Sequence, residues 1–203
     1  MALSEDQGSI RKLDVDTRTG LMGGARYAPS PNCDDRPSGE EISLVVIHGI
    51  SLPPGEFGGD EVEAFFQNRL DASAHPYFRE IEGLRVSAHL FIRRDGRIVQ
   101  FVPFHRRAWH AGESCYAGRT GCNDFSIGIE LEGTDDLAYS DQQYAVLNEV
   151  LRSLFTSYKR LDNHSVVGHC HVSPGRKTDP GPAFDWKRIG CAVKDESFGA
   201  HDV

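Results

Sequence analysis

Short apolar runs separated by polar turns recur along the chain, and several of them predict strands. The run SLVVIHGI, over 43–50, is typical of a buried strand with His48 near its carboxyl end. A later run, HSVVGHC over 164–170, predicts another buried strand that ends at His169. Two β-rich runs, VSAHLFI and RIVQFVP, flank RRDG, and the Asp95-Gly96 pair in it predicts a hairpin turn.

One predicted strand has two chemically different faces. The run FSIGIELEG, over 125–133, alternates strictly, with Ile127, Ile129 and Leu131 on one face and Gly128, Glu130 and Glu132 on the other. A carboxylate in a central strand is costly to bury unless it is paired or used in chemistry. Glu130 is therefore a candidate functional residue, with an ion pair to an arginine as the alternative. Glu132 lies nearer the strand end, and we expect it to be solvated.

Helical spacing appears in two places. The run DEVEAFFQNRL predicts a helix with Asp60 as a plausible cap, and the preceding SLPPGEFGG must be a loop because of its prolines and glycines. The run over 139–161 predicts the clearest helix, because Ser140 and Gln143 form a capping box. Its apolar stripe, which indicates core packing, comprises Leu147, Val150, Leu151, Leu154, Phe155 and Tyr158.

This order of elements predicts a single α/β domain with a mixed central β-sheet flanked by α-helices. We expect an irregular N-terminal lead-in over residues 1–25, the catalytic domain over 26–190, and a polar C-terminal tail over 191–203. The whole chain has 203 residues, which is enough for one sizeable core.

Composition and charge exclude several classes of protein. Charged residues make up 26% and hydrophobic residues 39%, and no apolar run approaches the ~20 residues of a membrane span. The net charge of −8 argues against general affinity for nucleic acid or for an anionic membrane. We expect a monomer that binds neither.

The cysteines indicate a reducing compartment. There are five, with no C-x-x-C pair, which argues against both a disulfide framework and a four-thiolate zinc site. The N-terminal segment has acids and glycine where a signal peptide would need a basic start and an apolar core. The expectation is a cytoplasmic protein.

Three residues suggest a metal centre. His48 and His169 lie at the carboxyl ends of predicted buried strands, the edge where α/β sheets bind ligands, and Asp179 follows in a loop rich in Pro and Gly. A catalytic zinc ion takes three such protein ligands and leaves a fourth position for water. The alternative is that each histidine only hydrogen-bonds the backbone. Lys177, two residues before Asp179, is suited either to stabilising an oxyanion or to being a solvated loop charge.

Five separated segments, taken together and in order, resemble a known family. They are VVIHGISLPPGEFGG, RVSAHLFIRRDGRIVQFVPF, RAWHAGES, CNDFSIGIELEGTD and GHCHVSPGRKTDPGPAFDW, and the resemblance runs from about residue 25 to 190. They are similar to the N-acetylmuramoyl-L-alanine amidases of the zinc type related to peptidoglycan-recognition proteins. More narrowly, they resemble the cytoplasmic bacterial branch that acts on 1,6-anhydro-N-acetylmuramyl peptides during peptidoglycan recycling.

The resemblance implies a role for each candidate. The family's zinc ligands fall on His48, His169 and Asp179, so the implied cofactor is Zn²⁺. The family's catalytic base falls on Glu130 and its transition-state stabiliser on Lys177. The implied reaction is hydrolysis of the amide between N-acetylmuramic acid and L-alanine in a 1,6-anhydro-N-acetylmuramyl peptide substrate.

Some positions depart from the family pattern. Gly49 follows the first ligand where asparagine is usual, which could alter a contact lining the site. Residues 170 and 171 are Cys and His, and these positions vary among relatives. His171 is a rival ligand two residues from His169, and only the motif decides between them.

Substrate recognition is the least constrained part. Arg85 and Arg176 are candidates to grip the carboxylates of a stem peptide, and surface charge is the alternative for both. We expect Trp109 and His110 to line the cleft, with core packing as the alternative for Trp109. His89 lies inside a strand and is expected to be a structural hydrogen-bonding residue.

Two other functions compete with the amidase. Relatives of this fold include receptors that hold peptidoglycan without cutting it, but such a receptor would be marked by the loss of a zinc ligand, and none is lost here. A zinc peptidase is the other rival, although the chain lacks the H-E-x-x-H pair.

Overall fold

The structure is a computed structural model that describes residues 13–190. Its strands are β1 (Val15–Asp16), β2 (Leu21–Met22), β3 (Arg26–Tyr27), β4 (Cys33–Asp35), β5 (Leu44–Ile50), β6 (Leu90–Ile92), β7 (Ile98–Gln100), β8 (Arg106–Ala108), β9 (Cys115–Tyr116), β10 (Arg119–Thr120), β11 (Ser126–Glu132) and β12 (Val166–Gly168). Its α-helices are α1 (Glu61–Phe66), α2 (Pro76–Glu80), α3 (Asp141–Ser157) and α4 (His169–Val172). Short 3-10 helices cover Cys122–Asp124 and Trp186–Ile189.

Six strands form the central sheet, in the order β12-β5-β11-β6-β7-β3. All neighbouring pairs are parallel except β6 and β7, which form the predicted antiparallel hairpin. The sheet is therefore mixed, and helices flank it, which confirms the predicted α/β fold. The remaining short strands form three separate pairs, β1-β2, β4-β8 and β9-β10.

The two faces of the central strands have different roles. On one face Ile47, Ile127, Ile129 and Leu131 pack in the core cluster that also contains the buried residues of α3. The opposite face has two smaller clusters, one with Phe91 and the apolar residues of α1, the other with Leu44, Val46 and Val172. Side chains alternate along a strand, so His48 and Glu130 belong to this second face.

Helix α3 is the longest helix, and the sequence predicted its start and its buried face. The Ser140 hydroxyl accepts from Gln143 N (3.1 Å), and the Gln143 side chain accepts from Ser140 N (3.0 Å), which confirms the capping box. Gln143 also donates from Nε2 to the carbonyls of Ile92 and Glu132. The same amide therefore caps the helix and joins it to the sheet.

Two local predictions differ from the structure. Helix α1 is shorter than predicted, and Asp60 occupies its N-cap position without a side-chain capping bond. Its carboxylate instead accepts from Arg93 Nη2 (3.1 Å), a guanidinium that also pairs with Glu63. His169 begins α4 instead of ending the strand, because β12 stops at Gly168.

The predicted lead-in is described only from residue 13. There β1 and β2 pair antiparallel, and Met22 is buried in the core, where its N–H donates to Gln100 Oε1 (2.8 Å). The predicted tail over 191–203 lies outside the described residues. Within residues 13–190, no helix combines the length and the apolar character that crossing a membrane requires.

Candidate metal centre and catalytic cleft

Three neighbouring strands bring the site residues together. His48 on β5 lies directly beside Glu130 in the parallel register with β11. On the other side of β5, Gly168 pairs with Ile47, and His169 follows at once as the first residue of α4. Because the three strands run in the same direction, these side chains meet at one edge of the sheet, as expected for ligand sites in α/β folds.

The fourth residue, Asp179, arrives from the loop after α4. Cys170 N donates to the Asp179 carbonyl (2.9 Å), which ties this loop to the start of the helix. Asp179 Oδ2 lies 3.1 Å from Nδ1 of both His48 and His169, and these two nitrogens are 3.0 Å apart. The three atoms form a nearly equilateral triangle, and the predicted set is indeed brought together.

This triangle fits a divalent cation better than it fits hydrogen bonding. His169 Nε2 faces the Ala111 carbonyl at 3.0 Å, and a carbonyl only accepts, so Nε2 bears a proton and Nδ1 of the neutral ring is an acceptor. That acceptor faces the carboxylate of Asp179, which is also an acceptor. Tetrahedral zinc with bonds of about 2.0–2.1 Å separates its ligand atoms by roughly 3.3 Å, close to the observed sides.

Electrostatics keep both kinds of ligand in the form that a metal requires. Burial, together with the nearby His169, lowers the pKa of His48 to about 4, so its imidazole is neutral near neutral pH. Burial acts to raise the pKa of Asp179, but the imidazoles of His169 and His48 outweigh it and hold that pKa well below its ordinary value. The site thus offers a neutral imidazole from His48 and a carboxylate from Asp179, in the forms that bind a metal.

Glu130 has an unusual environment for a carboxyl group. It is only 8% exposed, and its Oε2 is buried without a hydrogen-bond partner. Burial, reinforced by the charge of Asp179, raises its pKa well above the ordinary value, while Lys177 acts in the opposite direction. No arginine pairs with it among the described ion pairs, so a role in catalysis explains its position better than a structural ion pair does.

A cavity of about 510 Å³ opens over these residues. One wall is apolar and includes Leu52, Phe65, Tyr77, Ile81, Leu84 and Val86; the other parts include Ser51, Thr134, Asp135, His48, His110, Glu130, His169, Lys177 and Asp179. The cavity is therefore amphipathic, and its lining includes the candidate metal ligands, the buried carboxyl and the lysine.

The four residues predicted to contact substrate have different surroundings. His110 lines the cavity, whereas the Trp109 indole donates to Asp34 Oδ1 (3.1 Å) and is not among the described lining residues. Arg85 is exposed beside Leu84 of the apolar wall. Arg176 Nη2 donates to the carbonyls of Ala111 and Glu113, so that nitrogen is already engaged.

The other polar residues considered from the sequence, His171, His89 and Glu132, lie outside the ligand triangle. His171 Nδ1 accepts from Gly168 N (2.8 Å), and its ring contacts Trp186, so it is not in the ligand triangle. His89 is a structural residue, as expected: its Nδ1 accepts from Gly128 N, and its Nε2 donates to the Arg106 carbonyl. The prediction for Glu132 was wrong, because this residue is 4% exposed and accepts from Gly58 N and Arg94 N.

Tyr139 is a site residue that the sequence did not suggest. Its hydroxyl donates to the carbonyl of Pro180 (3.0 Å), the residue after Asp179. A Cβ at Gly49 would overlap this hydroxyl oxygen, and a Cβ at Gly133 would meet the ring at Cζ, 2.8 Å away. The two glycines thus form a slot for the ring, and no sequence pattern links such distant positions.

The fold and this site define a class of protein that comparison with known families identifies. A family model described as N-acetylmuramoyl-L-alanine amidase matches residues 38–182. The chain belongs to this family. It is 60% identical over 169 residues to the 1,6-anhydro-N-acetylmuramyl-L-alanine amidase AmpD of Salmonella typhimurium (strain SL1344), covering 83% of this chain and 90% of the relative.

Solved structures agree with this assignment. A crystal structure of a Se-Met AmpD derivative superposes with a TM-score of 0.83 at 59% identity, covering 85% of this chain and 96% of that one. The amidase AmiD of E. coli, solved in complex with the substrate anhydro-N-acetylmuramic acid-L-Ala-D-gamma-Glu-L-Lys, gives a TM-score of 0.54 at 26% identity. That match covers 76% of this chain and 59% of AmiD.

Proposed function

We propose that this amidase is zinc-dependent and hydrolyses the amide between N-acetylmuramic acid, in its 1,6-anhydro form, and L-alanine, as a step of peptidoglycan recycling. The observation that carries the proposal is the triangle of His48, His169 and Asp179 beside the buried carboxyl of Glu130. The similarity to AmpD of Salmonella typhimurium supports the substrate.

His48, His169 and Asp179 would hold the zinc ion and leave one coordination position open. When bound, zinc supplies Lewis acidity that polarises the scissile carbonyl and makes water a stronger acid. The neutral imidazoles and the single carboxylate leave a net positive charge at such a site.

Glu130 is the proposed general base and then the general acid. Its unpartnered Oε2 faces no competing donor, so it is available to accept a proton from the attacking water. Burial raises its pKa, and a raised pKa suits a group that must later return the proton to the departing L-alanine amine.

Lys177 is the proposed stabiliser of the negative charge that develops on the carbonyl oxygen. It lines the same cavity as Glu130 and the ligand residues. A cation placed at such a position typically contributes several kcal/mol to barrier reduction. Arg85, at the exposed rim, remains a proposed contact for a stem-peptide carboxylate; Arg176 and Trp109 remain proposals for the same surface.

The defining experiment uses anhydro-N-acetylmuramyl tripeptide and the purified protein. Mass spectrometry should detect free tripeptide and anhydro-N-acetylmuramic acid, activity should vanish after exhaustive chelation, and one equivalent of Zn²⁺ should restore it. Tripeptide alone serves as the control substrate. Cleavage within that peptide would indicate a peptidase, and tight binding without product release would indicate a receptor.

We also propose a monomer that acts in the cytoplasm through a catalytic domain over 26–190, without affinity for nucleic acid or membrane. The net charge of −8 and the four free cysteines among the described residues support this. Size-exclusion chromatography and cell fractionation test the oligomeric state and the location.

A further inference from the structure

Two adjacent residues, His110 and Ala111, contact the two imidazoles of the ligand triangle. His48 Nε2 lies 2.9 Å from the ring Nδ1 of His110, and His169 Nε2 lies 3.0 Å from the carbonyl of Ala111. Ala111 thus supports His169 in the same way that its neighbour His110 supports His48. Partners of this kind fix which ring nitrogen of a ligand bears the proton.

We propose that His110 is a positioning residue that holds His48 in its Nε2–H form, so that the Nδ1 lone pair is directed at the metal. This inference rests on the proposed zinc dependence. It gives His110 a role different from the substrate contact expected from the sequence.

A chain of hydrogen bonds runs from the Cys122 carbonyl through Ser126 and His110 to His48, and its first bond determines which atom donates in each of the others. Ser126 Oγ lies 2.6 Å from the Cys122 carbonyl, which only accepts, so the hydroxyl must donate there. Ser126 Oγ therefore meets His110 Nε2, at 3.1 Å, as an acceptor, and Nε2 must bear a proton. His110 Nδ1 is then the acceptor of its neutral ring, and His48 Nε2 must donate to it.

A cationic His110 would break this order, and its surroundings oppose that form. Neither ring partner, His48 or Ser126, carries a negative charge. Burying an imidazolium without a counter-ion is costly, and a metal bound to His48 would add a second positive charge nearby. The neutral ring is therefore the form that fits the hydrogen bonds to both partners.

The segment is also held rigidly in place. A Cβ at Gly128 would lie 2.6 Å from His110 Nδ1, so only a glycine lets the ring rest against β11. Asn123 Oδ1 accepts from His110 N (3.1 Å) and from Ala111 N (2.8 Å). The ring and the neighbouring carbonyl are therefore fixed together, as precise ligand orientation requires.

The matched variants are His110→Asn and His110→Leu, which have nearly the same size and shape. The Asn carbonyl oxygen takes the place of Nδ1 and keeps an acceptor for His48 Nε2–H, whereas Leu removes it. Zinc affinity is measured by competition with a chromogenic chelator. We expect His110→Leu to weaken zinc binding about 10–100-fold and His110→Asn to stay within about threefold of wild type.

Two further readouts separate positioning from substrate contact. In the zinc-loaded wild type, ¹H–¹⁵N NMR of the imidazoles should show a slowly exchanging Nε2–H on His48, which His110→Leu should lose. The KM for anhydro-N-acetylmuramyl tripeptide in zinc-saturated His110→Leu should stay near that of wild type. Unchanged zinc affinity with a raised KM would overturn the inference and restore the substrate role.

Ser126→Ala provides the second test if His110→Leu does not fold. It removes the acceptor of His110 Nε2–H and should weaken zinc binding by about three- to tenfold. Unchanged affinity and an unchanged His48 N–H signal would refute the proposed chain. If wild type cleaves the substrate with zinc while all variants bind zinc equally, only the inference fails; a wild type that binds no zinc removes the proposed function as well.

Discussion

Gly49 lies beside Tyr139, whose hydroxyl holds the loop of the candidate ligand Asp179, and this arrangement makes a sharp prediction. A Cβ at position 49 would overlap the Tyr139 hydroxyl oxygen, while its next contacts, Tyr139 Cζ and Pro180 Cα, are both at 3.6 Å. The Gly49→Ala substitution therefore forces the tyrosine to move. That movement breaks its 3.0 Å hydrogen bond to the Pro180 carbonyl.

The magnitude follows from these contacts. Overpacking in a rigid core costs about 1–3 kcal/mol, and leaving the buried Pro180 carbonyl unpaired adds about 1–3 kcal/mol. Replacing glycine by alanine offsets about 0.4–1 kcal/mol by restricting the unfolded chain. We expect metal-free Gly49→Ala to lose roughly 2–4 kcal/mol of unfolding free energy, measured by urea denaturation.

Tyr139→Phe supplies the matched control, because it deletes only the atom that overlaps. Alone it should cost about 1–2 kcal/mol through the lost hydrogen bond. In the double variant the nearest contact of the new Cβ becomes 3.6 Å, which is ordinary packing, so Ala at 49 should cost almost nothing further. The coupling energy should therefore match the cost of Gly49→Ala alone, about 2–4 kcal/mol. Additive effects of the two substitutions would refute the proposed overlap.

Three other predictions concern acidic and basic side chains in the cleft or next to it. Lys177→Ala should keep zinc and lose most turnover, whereas Asp179→Ala should lose both, as metal analysis with kinetics will show; normal turnover in Lys177→Ala would contradict its role. Burial raises the Glu130 pKa above 4.5, so the folded state binds more protons than the unfolded chain and stability falls as pH rises above that value. Metal-free Glu130→Gln should therefore be more stable than wild type at about pH 7, by about 1–3 kcal/mol, with the difference vanishing near pH 4 in calorimetry. Glu132→Ala removes the acceptor of Gly58 N and Arg94 N and should cost about 2–5 kcal/mol in urea denaturation, unlike an exposed control such as Glu82→Ala.

The periodic spacing of apolar residues predicted the long elements that bury a complete face, β11 and α3. The strictly alternating strand β11 and the apolar stripe of α3 each repeat a signal over 7 and 17 residues, respectively. Helices α2 and α4 have only 5 and 4 residues, too few for a period to emerge. Helix α2 is marked only by local capping, in which the His75 ring accepts from Tyr77 N at the start of the helix.

The candidate ligands were predictable because polar side chains at the ends of apolar strands are rare without a partner. The partners that decide the finer roles are mostly backbone groups, which leave no mark in a sequence. Glu132 is buried because two N–H groups from distant loops donate to it. Arg176 is engaged because backbone carbonyls accept from it, and Ala111 supports His169 with its carbonyl alone.

Folding alone does not explain the second face of the sheet. Three acceptor atoms meet at 3.0–3.1 Å, and a buried carboxyl oxygen has no donor, although either feature is costly in a stable core. Around them the supporting groups are fully paired: Tyr139 holds the loop of Asp179, and Asn123 holds the segment of His110. The other buried side-chain atom without a partner among the described residues is Arg106 Nε, a single donor, whereas the site gathers several acceptors that lack donors. Such a set of acceptors is what a site leaves when a cation and an attacking water complete its bonding, so under the proposed zinc dependence removal of the metal should destabilise the protein through the ligand triangle first.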